Sequence, residues 1–192
     1  MLLCIYQYIR RPDMKTKHLI YAALFAALIA IGAQIRIPVG PVPVTFQLPM
    51  ALLTGFLLGP RLGVLSTFVY MCIGLAGVPV FAGSGGIGAL VSPTFGFILG
   101  LMPAAFFAGL VTGEDKNFIA AAAAGIIGLL VSFTLGCLYF MLIFNVVLGT
   151  PTGIAEALRI AVLPFIIKDA IIAVLTAAFA RKLQARGFRP AV

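Results

Sequence analysis

Charged side chains are scarce in this chain. Asp, Glu, Lys and Arg make up 9% of its 192 residues, whereas 62% are hydrophobic and the mean hydropathy is +1.19. Soluble domains average about 25% charged residues, so the composition excludes an ordinary soluble protein. It indicates an integral membrane protein with the length of one domain.

Residues that commonly carry catalysis or bind metals are also few. The chain has one histidine, His18, and three isolated cysteines with no C-x-x-C pair. The glycine-rich run GSGGIGAL, which begins at Gly83, lacks the Gly-Lys-Ser/Thr ending of a phosphate-binding P-loop. We therefore expect a protein that is not an enzyme, with no catalytic residues, no metal and no cofactor. Any ATP hydrolysis coupled to it would belong to a partner subunit.

Six apolar segments predict the fold. They cover residues 18–36, 45–59, 61–77, 94–112, 118–148 and 161–181, and about 20 residues suffice for a transmembrane helix. The alternation expected of a β-barrel is absent. The second and third segments meet at Gly59-Pro60-Arg61, which predicts a tight helical hairpin, and the fifth is long enough to tilt or kink. We predict an all-α membrane protein with six transmembrane helices in residues 18–185, an N-terminal extension (1–17) and a C-terminal tail (186–192).

The basic residues predict the orientation of these helices. With six spans both termini share one side, and the net charge of +8 is concentrated there. That side holds Arg10, Arg11, Lys15, Lys17, Arg61, Lys116, Arg181, Lys182, Arg186 and Arg189, and the other side holds Arg36, Arg159 and Lys168. The positive-inside rule then predicts a multi-pass protein of the bacterial cell membrane with both termini in the cytoplasm. The basic side would contact anionic lipid headgroups and not nucleic acid.

Three connections then face outward, at residues 37–44, 78–93 and 149–160. The first belongs to the run IPVGPVPVTFQ, from Ile37 to Gln47, whose prolines prevent regular helix. Non-helical backbone at membrane depth must be covered by protein or line a cavity, so this run is either an outside loop or a wall of a binding site. Thr45 fits either a helix cap or a ligand contact. The Gln47 amide buries poorly without partners and favours a binding role.

The second connection is apolar and flexible. It reads VPVFAGSGGIGALVSP from Val78 to Pro93, with four glycines, two serines and no charge. A hydrated linker would normally carry charge, so we expect this loop to fold over the protein. Its glycines would allow backbone N–H groups to approach a ligand, and Phe81, Gly83 and Ser84 are candidate ligand contacts. Ser84 could equally serve the loop alone.

Lys168 and Asp169 form the sharpest polar feature, because they interrupt an otherwise hydrocarbon-like segment. Charges inside a span are costly and usually face a cavity or a partner. Adjacent helical residues point about 100° apart, so each is expected to have its own partner. Either they contact a ligand, or Lys168 extends toward the interface while Asp169 bonds a neighbouring helix. Arg36, at the outer end of the first span, would anchor to lipid phosphate or attract an anionic substrate.

Small residues repeat along the first helix. Ala22, Ala26 and Ala30 follow one another at four-residue spacing, which permits close approach of another helix. Internal packing and docking of a partner subunit are both compatible with this pattern. The pairs Gly55–Gly59 and Gly96–Gly100 are interpreted as internal packing.

Four motifs together resemble the BioY family. They are GPVPVTFQ (Gly40 to Gln47), LLGPRLG (Leu57 to Gly63), GVPVFAGSGG (Gly77 to Gly86) and SPTFGFILG (Ser92 to Gly100). Their order and spacing match that family of biotin-specific substrate-binding (S) components of energy-coupling factor (ECF) transporters. The resemblance runs from about Lys15 to Arg181.

The resemblance implies a fold and a function. It implies the six-helix S-component fold, high-affinity biotin binding from outside, and outward loops that cover the ligand. The partners would be a transmembrane coupling (T) subunit and two ATPase (A) subunits. It also implies that the alanine ladder of the first helix docks on the coupling subunit. The ureido N–H groups of biotin would meet Asp169, and the ureido carbonyl would meet Gln47, Ser84 or loop N–H groups. The carboxylate would meet Arg36, Lys168 or loop backbone.

The sequence departs from the family pattern at two places. The family usually has Gly-Asp near the start of helix 6 with a lysine three residues later, whereas here Lys168 precedes Asp169 and position 172 is Ile172. The usual Gly-Pro-Thr-Gly-Gly run is Ser-Pro-Thr-Phe-Gly, from Ser92 to Gly96. An S component for another vitamin and a stand-alone facilitator of small anionic solutes remain the alternative hypotheses.

Overall fold

Helices account for most of the chain in a computed structural model that describes residues 16–37, 44–112 and 117–188. In chain order they are α1 (Thr16–Gln34), α2 (Gln47–Leu75), α3 (Phe95–Gly109), α4 (Phe118–Leu142), α5 (Ile154–Ala161) and α6 (Leu163–Ala185). Two antiparallel strands, β1 (Arg36–Ile37) and β2 (Val44–Thr45), join α1 to α2. A 3-10 helix (Ile87–Val91) precedes α3, and a π-helical turn (Ile143–Val147) follows α4. The proline-rich residues 38–43 and the basic residues 1–15 lie outside the described residues.

Helix α2 is a hairpin of two arms. Gly59 adopts φ +80° and ψ 174°, which breaks the helix directly before Pro60. The amide Nε2 of Gln47 lies 2.6 Å from the Tyr70 hydroxyl, although a straight helix would separate these residues by about 34 Å. The arms, residues 47–58 and 60–75, therefore run antiparallel, and the predicted helical hairpin is confirmed.

Side chains from two other elements satisfy the carbonyls at the end of the first arm. A helix leaves its last carbonyls without intrahelical partners. The Thr112 hydroxyl lies 3.1 Å from the carbonyl oxygens of both Gly55 and Phe56. Gln184 Nε2 donates to the Phe56 oxygen at 2.7 Å. These contacts attach the end of α6 and the chain after α3 to the hairpin turn.

Small residues allow α3 to approach both of its neighbours. A Cβ on Gly100 would lie 2.6 Å from the Ser132 hydroxyl of α4, and a Cβ on Gly55 would overlap the backbone of Ala105. On α4, a Cβ on Gly128 would lie 2.9 Å from the Ala104 carbonyl oxygen. The interpretation of Gly55 and Gly100 as internal packing positions is therefore confirmed.

The chain crosses the bundle repeatedly, so its connections segregate to two ends. Phe46 N–H donates to the Gly32 carbonyl at 3.1 Å, which places the start of α2 beside the end of α1. The β1–β2 pair, residues 76–94 and α5 share this end, here called the loop end, because Thr45, Phe81 and Ala161 of these three elements line one cavity. The hairpin turn at Gly59, the start of α1 and the end of α6 lie at the opposite end.

Within the part of the chain that the structure describes, four helices are long and apolar enough to cross a membrane, as judged by length and composition: α1, α2, α4 with its π-helical turn, and α6. Helix α3 is a shorter apolar helix. Because α2 is folded back, six helical segments correspond in order to the six predicted ones, and their assignment as six spans stays a prediction. The sequence did not predict α5, whose eight residues include Glu156 and Arg159. Glu156 lies in the first turn of α5 and Arg159 in its last turn, so both charges interact favourably with the helix dipole.

Candidate ligand-binding site

A cavity opens at the loop end between α2, α3, α4, α6 and the loop before α3. It contains about 820 Å³ of empty space, counted together with the open solvent at its mouth. Five phenylalanine side chains contribute to its lining: Phe81, Phe95, Phe97, Phe133 and Phe165. Eight polar or charged residues also line it: Thr45, Gln47, Ser84, Ser92, Thr94, Ser132, Lys168 and Asp169. An apolar cavity with a few convergent polar groups is the usual form of a small-molecule site.

Lys168 and Asp169 supply the cavity with its charged groups. The Lys168 ammonium forms an ion pair with the Asp169 carboxylate, and the two side chains are 34% and 11% exposed. The expectation that each has its own partner was therefore wrong, because the long lysine side chain reaches the adjacent carboxylate. Pairing reduces the cost of burying either charge. The pair presents an acceptor and a donor side by side to the cavity.

Gln47 is held in place through a tyrosine. Its Nε2 donates to the Tyr70 hydroxyl, which donates in turn to the Val80 carbonyl at 2.9 Å. Tyr70 is 1% exposed and lies on the second arm of α2. This chain of hydrogen bonds connects both arms to the covering loop. Thr45 reaches the cavity from β2, where it pairs with Arg36 of β1.

The loop of residues 76–94 packs onto the helices, as predicted. Phe81 is 4% exposed and contacts the rings of Tyr70 and Phe95 edge-on, with centroids 5.5 and 6.0 Å away. Gly74 makes room for this ring, because a Cβ there would overlap it. The Ser84 hydroxyl donates to the Phe81 carbonyl at 2.8 Å. Phe81 and Ser84 therefore form one compact turn on the wall of the cavity.

Two of the predicted ligand contacts lie outside the cavity lining. The Arg36 guanidinium donates to the Ala82 carbonyl of the loop, and its contact with an anionic substrate stays a prediction. Gly83 follows Ala82 at φ +86° and lies beside that guanidinium. Both residues shape the loop. The other six predicted contacts, namely Thr45, Gln47, Phe81, Ser84, Lys168 and Asp169, line the cavity together.

The alanine ladder of α1 also requires a correction. Ala22 and Ala26 are 2% and 1% exposed and pack inside the protein, with Ala30 partly buried against the same core. Ala22 and Ala26 are therefore not available as a docking surface, whereas docking through Ala30 stays a prediction. Ala23 and Ala27 are the exposed small residues of α1, one position further along the helix and hence on a different face.

Several lining residues were not predicted from the sequence. Ser132 lies two residues before Thr134 in a largely apolar stretch of α4, and nothing in the sequence separates it from a hydroxyl that bonds its own helix. Ser92 and Thr94 flank Pro93 and bond each other at 2.9 Å. The phenylalanines of α3, α4 and α6 could not be distinguished from lipid-facing residues by composition. Among the described residues, no three His, Cys, Asp or Glu side chains form a group able to hold a metal ion.

Fold and site define a helical membrane protein with a covered small-molecule cavity near one end of its bundle. The model of the BioY family matches residues 9–188. A probable biotin transporter BioY of Pyrococcus horikoshii is 39% identical over 172 residues, covering 89% of this chain and 98% of its own. The biotin transporter BioY of Thermotoga maritima is 37% identical over 169 residues, covering 88% and 96%.

A solved structure is similar as well. It is the S-component for biotin from an ECF-type ABC transporter, with a TM-score of 0.77 and 25% sequence identity. The match covers 90% of this chain and 95% of that chain. The chain belongs to the BioY family.

Proposed function

We propose that this chain is the biotin-binding S component of an ECF-type transporter. The relatives from Pyrococcus horikoshii and Thermotoga maritima carry the name biotin transporter, and they align over nearly their whole length. The observation that carries the proposal is the cavity. It combines the Lys168–Asp169 pair with five phenylalanines beneath a packed loop.

The chemistry of the cavity suits biotin. The ureido ring offers two N–H donors and one carbonyl acceptor, and the Asp169 carboxylate would accept from the N–H groups. The Lys168 ammonium beside it would donate to the ureido carbonyl. Phe81 and Phe165 provide apolar surface for the fused ring and the aliphatic chain. The carboxylate of biotin would then lie toward Ser84 and the loop backbone.

The placement of charge supports an orientation with the loop end outside. Among the described residues, Lys17, Arg61, Arg181, Lys182 and Arg186 lie toward the opposite end. The loop end holds Arg36, Arg159 and Lys168. The positive-inside rule therefore favours six spans with both termini in the cytoplasm, so that biotin enters from outside.

Transport would require a coupling subunit and two ATPase subunits. The exposed face of α1 suits contact with a second membrane helix, because Ala23 and Ala27 leave room between large apolar side chains such as Leu24. ATP hydrolysis in the partners would then drive movement of the loaded S component.

Titration calorimetry on the purified chain tests the proposal, with biotin, riboflavin and thiamine titrated separately. We expect tight binding of biotin alone. Binding of riboflavin or thiamine in its place would assign the chain to another vitamin, and binding of none of the three would refute the proposal. Biotin uptake into vesicles containing this chain without ATPase subunits would indicate a stand-alone facilitator.

A further inference from the structure

We propose that Arg36 is a positioning residue that fastens the covering loop over the ligand and does not bind the ligand carboxylate. This inference deepens the proposed function and depends on it. The Arg36 side chain would join the two connections that lie beside the cavity. The first connection contains β1 and β2, and the second is the loop of residues 76–94.

Arg36 is fixed on the side of the first connection. It is a residue of β1 and pairs with Thr45 of β2, and Thr45 lines the cavity. Its guanidinium crosses to the second connection and donates to the carbonyl of Ala82. The neighbouring Gln34 side chain donates to the Pro79 carbonyl at 3.1 Å. The end of α1 and the start of β1 therefore each donate one side-chain hydrogen bond to the loop backbone.

The loop is shaped to receive this contact. Ala82 has φ +49° and Gly83 has φ +86°, and they lie between Phe81 and Ser84. The backbones of Phe81 and Ser84 bond each other in both directions, at 2.9 and 3.0 Å. A positive φ is disfavoured for alanine, so other contacts must hold the turn. The charged hydrogen bond from Arg36 is one of them.

Gly83 leaves the space that the guanidinium occupies. A Cβ at this position would lie 2.5 Å from one terminal nitrogen of Arg36 and 2.9 Å from the other. Any side chain at residue 83 would therefore force the guanidinium to move from this position. Glycine serves two purposes here, because the positive φ also favours it.

The contact between Arg36 and the loop should slow the release of the ligand. The turn that Arg36 holds carries Phe81 and Ser84, and both line the cavity, whereas Arg36 does not. Loss of the contact should free the turn to open without removing a group that touches biotin. Release of biotin should accelerate, and the effect should not depend on the charge at the end of the biotin chain.

The test compares biotin with its neutral primary amide on the purified chain and on Arg36→Gln. We expect Arg36→Gln to raise the dissociation rate of both ligands by about tenfold, which is the lower end of the range for one hydrogen bond to a charged group. Arg36→Lys, which retains a donor, should recover part of the loss. Gly83→Ala should reproduce the fast release. Arg159→Gln removes the same charge at the same end of the bundle and should leave both rates unchanged.

Three outcomes would overturn the inference. A loss confined to biotin, with the amide unaffected, would show that Arg36 binds the carboxylate. Unchanged rates for both ligands in a folded Arg36→Gln protein would show that the contact is not needed. Equal loss in Arg159→Gln would indicate a general effect of charge. Failure of the unaltered chain to bind biotin would instead refute the proposed function, so the two failures are distinguishable.

Discussion

Asp169 illustrates how a charged residue is accommodated in an apolar helix. Asp169 is 9% exposed, lines the cavity and forms an ion pair with Lys168. An unpaired carboxylate at this depth would be costly. The ion pair keeps the carboxylate available as an acceptor for N–H donors, while a donor lies immediately beside it.

Asp169→Asn should weaken biotin binding about tenfold to a hundredfold, since a hydrogen bond to a charged group contributes about 1.5–3 kcal/mol. The asparagine retains the shape but loses the charge, and it leaves Lys168 without its ion-pair partner. Calorimetric titration measures the change. Glu156→Gln on α5 is the matched control, because it makes the same chemical change at an exposed position outside the cavity lining.

A dissociation constant for Asp169→Asn equal to that of the unaltered chain would contradict the ureido assignment. An equal loss in Glu156→Gln would show that net charge, and not the cavity carboxylate, determines affinity.

The packing of Phe81 on Gly74 is a second contact between single residues that shapes the site. A side chain at position 74 would overlap the Phe81 ring, which packs directly against the glycine. Gly74 also accepts a hydrogen bond from Gly86 N–H at 2.7 Å, which ties the loop to the end of α2. Phe81 can therefore line the cavity only if residue 74 of α2 has no side chain.

Gly74→Ala should destabilise the protein by about 1–3 kcal/mol, because the added methyl group overpacks a filled site. It should also weaken biotin binding by displacing Phe81. Thermal unfolding with and without biotin measures both effects. Gly88→Ala is the control, since its methyl group would meet no atom within 4 Å. Equal stability of the two variants would exclude tight packing of Phe81 on Gly74.

At the scale of elements, the hairpin of α2 positions two groups of the site. Gln47 begins the first arm and Tyr70 lies on the second, so their hydrogen bond depends on the reversal at Gly59. The backbone angles of Gly59 fall in a region that is essentially restricted to glycine. Proline follows at the first position of the second arm, where its missing N–H costs nothing.

Gly59→Ala should destabilise the protein by about 1–3 kcal/mol through backbone strain, and it should also lower biotin affinity by separating Gln47 from Tyr70. Pro60→Ala should have a much smaller effect, because alanine accepts the same helical conformation. Chemical denaturation of both variants measures the difference. Similar losses for the two would indicate that the turn does not depend on the glycine conformation.

The sequence predicted some of these structural elements and not others. The hairpin was predictable because Gly59-Pro60 lies between apolar runs. Helix α5 was not, since its eight residues carry two charges. The role of Ala22 and Ala26 could not be decided from spacing, because inward and outward faces of α1 are equally apolar. Arg36 was identified as important, but its partner is a loop carbonyl 46 residues away, which only the folded chain reveals.

For the molecule as a whole, orientation links the cavity to transport. Among the described residues, the loop end carries the cavity and few basic residues, whereas the other end carries the start of α1 and the end of α6. If the loop end faces outward, biotin reaches the cavity without crossing the membrane. Exposed positions are available at both ends, with Gly153 before α5 and Lys182 near the end of α6.

Cysteine labelling in whole cells tests this orientation. In a background of Cys4→Ser, Cys72→Ser and Cys137→Ala, a membrane-impermeant maleimide should label Gly153→Cys and should leave Lys182→Cys unlabelled. Both variants should react after the membrane is permeabilised, which controls for accessibility. The reverse pattern in intact cells would place the loop end in the cytoplasm.

A structure of the chain with biotin bound tests the central claim most directly. We expect the ureido ring beside Asp169 and Lys168, the aliphatic chain against phenylalanine side chains, and the loop closed by Arg36 on the Ala82 carbonyl. Biotin bound elsewhere, or bound in this cavity with its carboxylate against Lys168 and its ureido ring away from Asp169, would contradict the account.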